Sequence, residues 1–299
     1  MVTNEFYKNL LNKPEKLSNL DFEDISLILK SVIPIFEKEN LLLEFNTKSP
    51  IDEIFVIGDI HGNFKTLLRL IELIRKNNPK LVIFLGDIVD RGPHQLECLL
   101  FILILKILHS QKYFLIRGNH ETTEINKIYG FFQDFMNRFH DRSKFNEIVK
   151  FYDVLPLCAV VNSTILCLHG GIPQDTEFLK KIKGVQTKNI DLIFKSIASS
   201  WFQIMWNDPK DGLNGFIGSF RGEGIKYFGE DVFNIFMRTY ELDFLIRAHE
   251  CFPEGYRWFF NKKLLSIFSS ENYRGQIYPN PASYAIIRDN KIIPKLLEL

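Results

Sequence analysis

The chain has 299 residues, with 37 Lys plus Arg against 36 Asp plus Glu and a formal net charge of +1. At 46% hydrophobic and 24% charged residues it excludes wholesale disorder, and its length suffices for a sizeable buried core. The near-neutral balance excludes nucleic acid as an expected partner, since neutralising phosphates needs a clear excess of Lys and Arg.

Cys98, Cys158, Cys167 and Cys251 form no Cys-x-x-Cys pair, so neither a disulfide framework nor a cysteine-rich zinc site is expected. Met1 to Leu20 has no apolar h-region, and the longest apolar run, Leu99 to Leu105, is too short to span a bilayer. These features predict a soluble cytoplasmic protein with no membrane partner.

Residues 1 to about 50 read as a helical lead-in packed on the rest. Ile25, Ile28, Leu29 and Val32 have helical spacing, Pro34 disturbs or ends that helix nearby, and Leu41 to Phe45 is a second apolar patch before Ser49-Pro50. Alternation follows. Ile54 to Ile57 reads as a strand, Phe64 to Ile74 as a helix face, Leu81 to Leu85 as a strand, and His94 to Leu108 as a buried helix. Tyr113 to Ile116 is a third strand, and helical spacing resumes from Ile125 to Phe139. Thr164 to Leu168, Phe244 to Arg247 and the helix Glu230 to Tyr240 come next. Two hairpins close the chain: Tyr256 to Phe260 with Leu264 to Phe268, and Tyr284 to Ile287 with Ile292-Ile293. The order predicts an α/β fold in a single domain covering 1–299.

At five places an apolar strand stops and metal-type ligands follow at once. They are Gly58-Asp59-Ile60-His61-Gly62, Gly86-Asp87-Ile88-Val89-Asp90-Arg91-Gly92, Arg117-Gly118-Asn119-His120-Glu121, Cys167-Leu168-His169-Gly170-Gly171 and Arg247-Ala248-His249. Ligands bind outside the carboxyl ends of strands in open α/β sheets, so five such clusters at one edge would make a nitrogen- and oxygen-rich pocket. Carboxylate, amide and imidazole suit manganese, iron or zinc, and a carboxylate can bridge two such ions. Each cluster alone reads equally well as a turn; their conjunction in order does not. His94, His109 and His140 lie outside the clusters and read as ordinary surface or core histidines.

With these motifs the sequence resembles the metal-dependent serine/threonine phosphoprotein phosphatases, the group of the type 1, type 2A and calcineurin catalytic subunits. The resemblance runs from about Leu20 to about Asp289. It includes Ile125-Asn126-Lys127-Ile128-Tyr129-Gly130-Phe131, Leu155-Pro156-Leu157, Trp206-Asn207-Asp208-Pro209, Phe220-Arg221-Gly222, Glu254-Gly255-Tyr256 and Asn272-Tyr273 followed by Gly275. It implies a calcineurin-like metallophosphoesterase fold, a central β-sandwich of two mixed sheets flanked by helices. It also implies two divalent metal ions, manganese in vitro with iron or zinc as alternatives, phosphorylated proteins as substrates, and regulatory subunits as further partners.

Residue by residue, the resemblance implies that Asp59, His61 and Asp87 hold the first metal, and that Asp87 bridges to a second completed by Asn119, His169 and His249. Hydrolysis of phosphoserine and phosphothreonine would proceed by direct attack of a bridging hydroxide. His120 would be the general acid, oriented by Asp90. Arg91 and Arg221 would grip the phosphate, with Tyr273 at the pocket rim. The chemistry agrees: an alkoxide is a poor leaving group that needs an acid, and arginine offers phosphate a planar fork of donors.

The chain departs from the family pattern at Asn63, usually Gln, and at Ile88, usually aromatic. The larger change is in Ser269 to Gly275, where Glu271 stands for proline and Arg274 for cysteine. That loop contacts cyclic-peptide toxins in the family, so it marks a divergent member, archaeal or other. Competing readings are a dinucleoside polyphosphate hydrolase or a catalytically silent binding protein on the same fold. A cysteine phosphatase built on Cys251 and Arg257 is disfavoured because Pro253 removes a backbone donor from the loop between them.

Overall fold

Two mixed β-sheets stack face to face, and helices cover both outer faces. The computed structural model describes residues 4–47, 49, 51–275, 277 and 279–298. In chain order the first half contains α1 (Asn4–Asn12), α2 (Phe22–Phe36), β1 (Leu42–Phe45), β2 (Ile54–Ile57), α3 (Phe64–Asn77), β3 (Leu81–Phe84), α4 (Gln95–Leu108), β4 (Tyr113–Leu115), α5 (Thr123–Tyr129), α6 (Phe131–Phe139) and α7 (Arg142–Tyr152). The second half contains β5 (Cys158–Val161), β6 (Ile165–Leu168), α8 (Phe178–Ile182), α9 (Phe194–Trp206), β7 (Asp208–Pro209), β8 (Phe216–Gly218), β9 (Lys226–Phe228), α10 (Glu230–Thr239), β10 (Phe244–Arg247), β11 (Tyr256–Phe259), β12 (Leu264–Ile267), β13 (Ser283–Arg288) and β14 (Lys291–Leu296).

One sheet has the order β1-β5-β6-β10-β12-β11 and the other β14-β13-β2-β3-β4. Strand periodicity assigns each apolar side chain to a layer. Ile54, Val56 and Ile83 meet Ile165, Ile246 and Ile267 between the sheets. Phe55, Ile57, Val82 and Phe84, one residue out of phase, pack on α1 to α4. Leu166, Leu168 and Leu245 pack on α8 to α10. Burial on both faces explains why these strands read as continuous apolar runs.

The sequence-based strands and both closing hairpins appear where expected, with antiparallel β11–β12 and β13–β14 pairs. Among the described residues no helix is long and apolar enough to cross a membrane. α4, which holds the longest apolar run, is buried.

Two expectations are corrected. The lead-in is not only helical: β1 pairs in parallel with β5, Leu42 opposite Cys158. Leu42 and Leu43 bury on opposite faces of the sheet, in separate apolar clusters, which only a strand permits. As expected from Pro34, α2 ends nearby, two residues later at Phe36; Pro50 lies outside the described residues. The helix expected from Ile125 to Phe139 is two, broken at Gly130 with φ +116°. There the Phe131 N–H leaves the helical ladder and donates to Asp90 Oδ1 at 2.9 Å. The three-stranded sheet β7-β9-β8 was not anticipated, because runs of two or three residues carry no readable period.

Gly130 has no neighbour within 4 Å of where a Cβ would sit, so only its backbone conformation resists substitution. Gly130→Ala should therefore lower stability by about 1–3 kcal/mol. This would be read as a lower urea midpoint at unchanged slope. An unchanged midpoint would show that the helix break is not set by this residue.

Candidate active site

The five ligand-bearing segments converge at the carboxyl ends of β2, β3, β4, β6 and β10. The parallel pairing of β2 with β3, of β3 with β4 and of β6 with β10 points their ends the same way. The chain then turns sharply. His61, Asp87, Asp90, Arg91 and His249 all have positive φ, a conformation costly for side chains and frequent where function requires it. Backbones approach so closely that a Cβ on Gly118 would lie 2.2 Å from Asp87 Oδ1.

Asp87 occupies the centre. Its Oδ2 lies 3.7 Å from His61 Nε2, 3.3 Å from His169 Nε2 and 3.9 Å from His120 Nε2. Its Oδ1 accepts the His120 backbone N–H at 2.9 Å. His61 Nδ1 meets the Val89 carbonyl at 2.9 Å and His169 Nδ1 the Leu85 carbonyl at 2.8 Å. A carbonyl can only accept, so each Nδ1 carries the proton and each Nε2 presents a lone pair inward. Asp59 Oδ1 accepts the His249 backbone N–H at 2.9 Å, while its Oδ2 lies 3.5 Å from His61 Nε2.

The donor set fits divalent cations. The His169 Nε2 lone pair faces Asn119 Oδ1 at 2.8 Å and His249 Nδ1 at 3.2 Å, besides Asp87. Acceptors converging in a buried space require a cation among them. Asp59 Oδ2 and His249 Nε2 are buried without a hydrogen-bond partner. His61, Asp87 and His120 form one group able to hold an ion, and Asp87, His169 and His249 another. Burial disfavours an imidazolium at His61, yet the neighbouring Asp59 and Asp87 carboxylates outweigh burial and raise it to about 9. Burial also opposes an ionised Asp87, but the charges of His169 and His120 hold it well below the usual carboxylate range. In the absence of metal, protons thus answer the same negative charge. Burial, with the charge of Arg221 next, keeps His249 neutral, the form that ligates.

His120 is held from one side only. Its Nδ1 meets Asp90 Oδ2 at 2.7 Å. The amide of Asn126 donates to Asp90 Oδ2 at 2.8 Å and to the His120 carbonyl at 2.7 Å, and the Tyr152 hydroxyl donates to Asn126 Oδ1 at 3.0 Å. His120 Nε2 is left facing the cluster.

Arg91 and Tyr273 sit on the His61 side. The Arg91 guanidinium lies 4.0 Å from the Tyr129 ring centre and 5.8 Å from that of Tyr273, and the Tyr273 ring stacks on His61 at 5.0 Å and 21°. Arg221 sits on the His249 side, where its Nε donates to Asp208 Oδ2 at 2.6 Å. Arg247 takes the other oxygen, Asp208 Oδ1, at 2.8 Å.

Every sequence-predicted site residue is thus brought to one region. Sequence reasoning missed the supports: Glu121, Asn126, Tyr152, Asp208 and Arg247. The buried Glu121 carboxylate accepts the N–H groups of Asp87, Ile88 and Gly118 at 2.8–2.9 Å. Glu121, Asn126, Asp208 and Arg247 all stood in motifs already singled out, Glu121 and Arg247 each two residues from a candidate ligand. Tyr152 carried no sequence signal.

Comparisons with known proteins agree with this geometry. The calcineurin-like phosphoesterase family model matches residues 53–253. The serine/threonine-protein phosphatase BSL2 of Arabidopsis thaliana is 33% identical over 291 residues, 93% of this chain, and the chain spans 28% of that relative's length. A protein serine/threonine phosphatase from Saccharomyces cerevisiae, described as similar to human phosphatase PP5, superposes with a TM-score of 0.84 at 29% identity, covering 100% of this chain and 96% of that one. A cold-active protein-tyrosine phosphatase from a psychrophilic Shewanella shares the fold, with a TM-score of 0.59 at 14% identity, covering 88% of this chain and 82% of that one. Strand ends, inward lone pairs and the matched span lead to one family, and the chain belongs to the calcineurin-like phosphoesterases.

Proposed function

We propose that the chain is a serine/threonine protein phosphatase. The observation that carries this reading is the Asp87 carboxylate oxygen set among three histidine Nε2 atoms, with His120 backed by Asp90 beside it. The names of the Arabidopsis and yeast relatives support the substrate class. Asp59, His61 and Asp87 would hold one divalent ion, and Asp87, Asn119, His169 and His249 a second. The donor set suits manganese, with iron or zinc as alternatives. Such ions supply Lewis-acid charge to the phosphoryl oxygens and to the attacking water.

The chain's own residues do the rest. Arg91 and Arg221, on opposite sides of the cluster, orient the phosphate through forked N–H donors. His120 donates a proton from Nε2 to the departing serine or threonine oxygen. Asp90 fixes its tautomer and orientation through Nδ1. Tyr273 covers His61 and limits water at that rim. A cavity of about 730 Å³, lined by Arg117, Trp201, Phe202 and Trp206, lies beside the site, and the Trp206 ring on its wall stands edge-on to His249 at 5.6 Å. Regulatory subunits would be further partners. The pairing of β1 with β5 supports a single catalytic domain spanning the lead-in. Four unpaired cysteines support a reducing, cytoplasmic setting.

The direct test supplies the metal-depleted chain with manganese, zinc or magnesium and a phosphoseryl protein, a phosphotyrosyl peptide or a dinucleoside polyphosphate. Metal-dependent turnover of the phosphoseryl protein is expected. Turnover without metal, or of the dinucleotide alone, would overturn the reading.

His120→Asn should lower kcat on phosphoserine by about 10²–10⁴-fold. The loss should be much smaller on p-nitrophenyl phosphate, whose leaving group needs no acid; equal losses on both would rule out the acid role. Asp87→Asn should remove bound metal, measured by atomic emission, together with activity. A variant with a full metal complement would argue against bridging. Cys251→Ser should retain near wild-type rates, and a silent Cys251→Ser would revive thiol chemistry.

A further inference from the structure

Two loops meet over the His61 side of the site, and the contacts that join them lie outside the proposed chemistry. Asn63, two residues past His61, donates from Nδ2 to the Glu271 carbonyl at 3.0 Å. Its Oδ1 accepts the Thr66 N–H at 3.1 Å and so caps α3. Arg69, farther along α3, pairs through Nη1 with Glu271 Oε2 at 2.5 Å. Its Nη2 donates to the Glu298 carbonyl. The two side chains are only 23% and 12% exposed, so this ion pair is better shielded from solvent than an ordinary surface pair. Glu271 lies two residues before Tyr273, whose ring stacks on His61. Between them Asn272 has φ +56°. Asn272 alone separates the Glu271 anchor from Tyr273, so a shift of the anchor is passed directly to the residue that bears the ring.

We propose that Arg69, Asn63 and Glu271 form a positioning clamp that ties the 269–275 loop to α3 and holds Tyr273 in place as the wall of the phosphate-binding rim. The clamp sets substrate affinity rather than the chemical step. None of the three touches the ligand cluster through its side chain. A second anchor backs the clamp: the Asn272 and Arg274 N–H groups, on either side of Tyr273, donate to Asn280 at 2.9 and 3.2 Å. Release of the clamp would thus loosen the loop from α3, and with it the seat of the Tyr273 ring, without unfolding the loop. This inference rests on the phosphatase reading for its substrate but not for its geometry.

The test uses the full chain with Arg69→Gln, Glu271→Gln and the charge swap Arg69→Glu with Glu271→Arg. Kinetics on a phosphoseryl peptide are measured with manganese, and amide hydrogen exchange of the 269–275 loop without it. Each single variant should raise KM by about three- to tenfold with kcat within about twofold, and should speed exchange in the loop. The swap should recover most of both effects. Wild-type KM in both single variants, or a fall in kcat at unchanged KM, would overturn the clamp, as would a swap that recovers nothing. If the wild-type chain turns over no phosphoseryl peptide, the phosphatase reading fails. The exchange measurement then decides the clamp alone: unchanged exchange in both single variants overturns it.

Discussion

The structure depends on keeping one carboxylate, that of Asp87, ionised in a buried place. Burying an unpaired charge is prohibitive, so the groups that face the Asp87 carboxylate are imidazoles and a backbone hydrogen-bond donor. Three imidazoles face its Oδ2, and a backbone N–H holds its Oδ1. Its own backbone is pinned by a second buried carboxylate, Glu121. Removing the cation therefore leaves a cluster that recruits protons instead. Charge balance couples the folding of this region to what occupies it.

The sandwich makes that arrangement affordable in conformational terms. Parallel strands deliver their ends to one edge, and burial of both sheet faces makes the strands stiff supports. The ligands come from five segments far apart in sequence, which only the completed pair of sheets brings together. Short turns with positive φ store strain at that edge, and the packed apolar layers behind it keep the strain from relaxing.

Most of the architecture was legible because buried strands and amphipathic helices have strong periods. Ile54 to Ile57 and Leu81 to Phe84 could be read directly, and the ligand clusters stood out because each followed such a run at once. What escaped had no local signal. β1 looked like part of a helical lead-in because four residues cannot distinguish the two periods, and its partner β5 lies more than a hundred residues away. The break at Gly130 depends on Asp90 taking the Phe131 N–H, a long-range hydrogen bond invisible to spacing. The ligand positions could be named from motifs, but their supports could not. Tyr152 reaches Asp90 only through Asn126, and Arg69 reaches Glu271 across 202 residues.

The shared carboxylate of Asp208 has a consequence for how an anion enters. Arg221 approaches the site already paired with Asp208, so under the proposed phosphatase reading an incoming phosphate would have to take that guanidinium from its resident counter-ion. Such exchanges are usually costly because the abandoned carboxylate is left buried and alone. Here Arg247 already holds the other oxygen of Asp208 and is itself fully buried. Asp208 would keep Arg247 as a partner if Arg221 changed hands, an arginine that it shares with Glu250 Oε2 at 2.7 Å. The β7–β9–β8 sheet carries both Asp208 and the turn bearing Arg221. That small sheet thus places one carboxylate between two arginines beside the site.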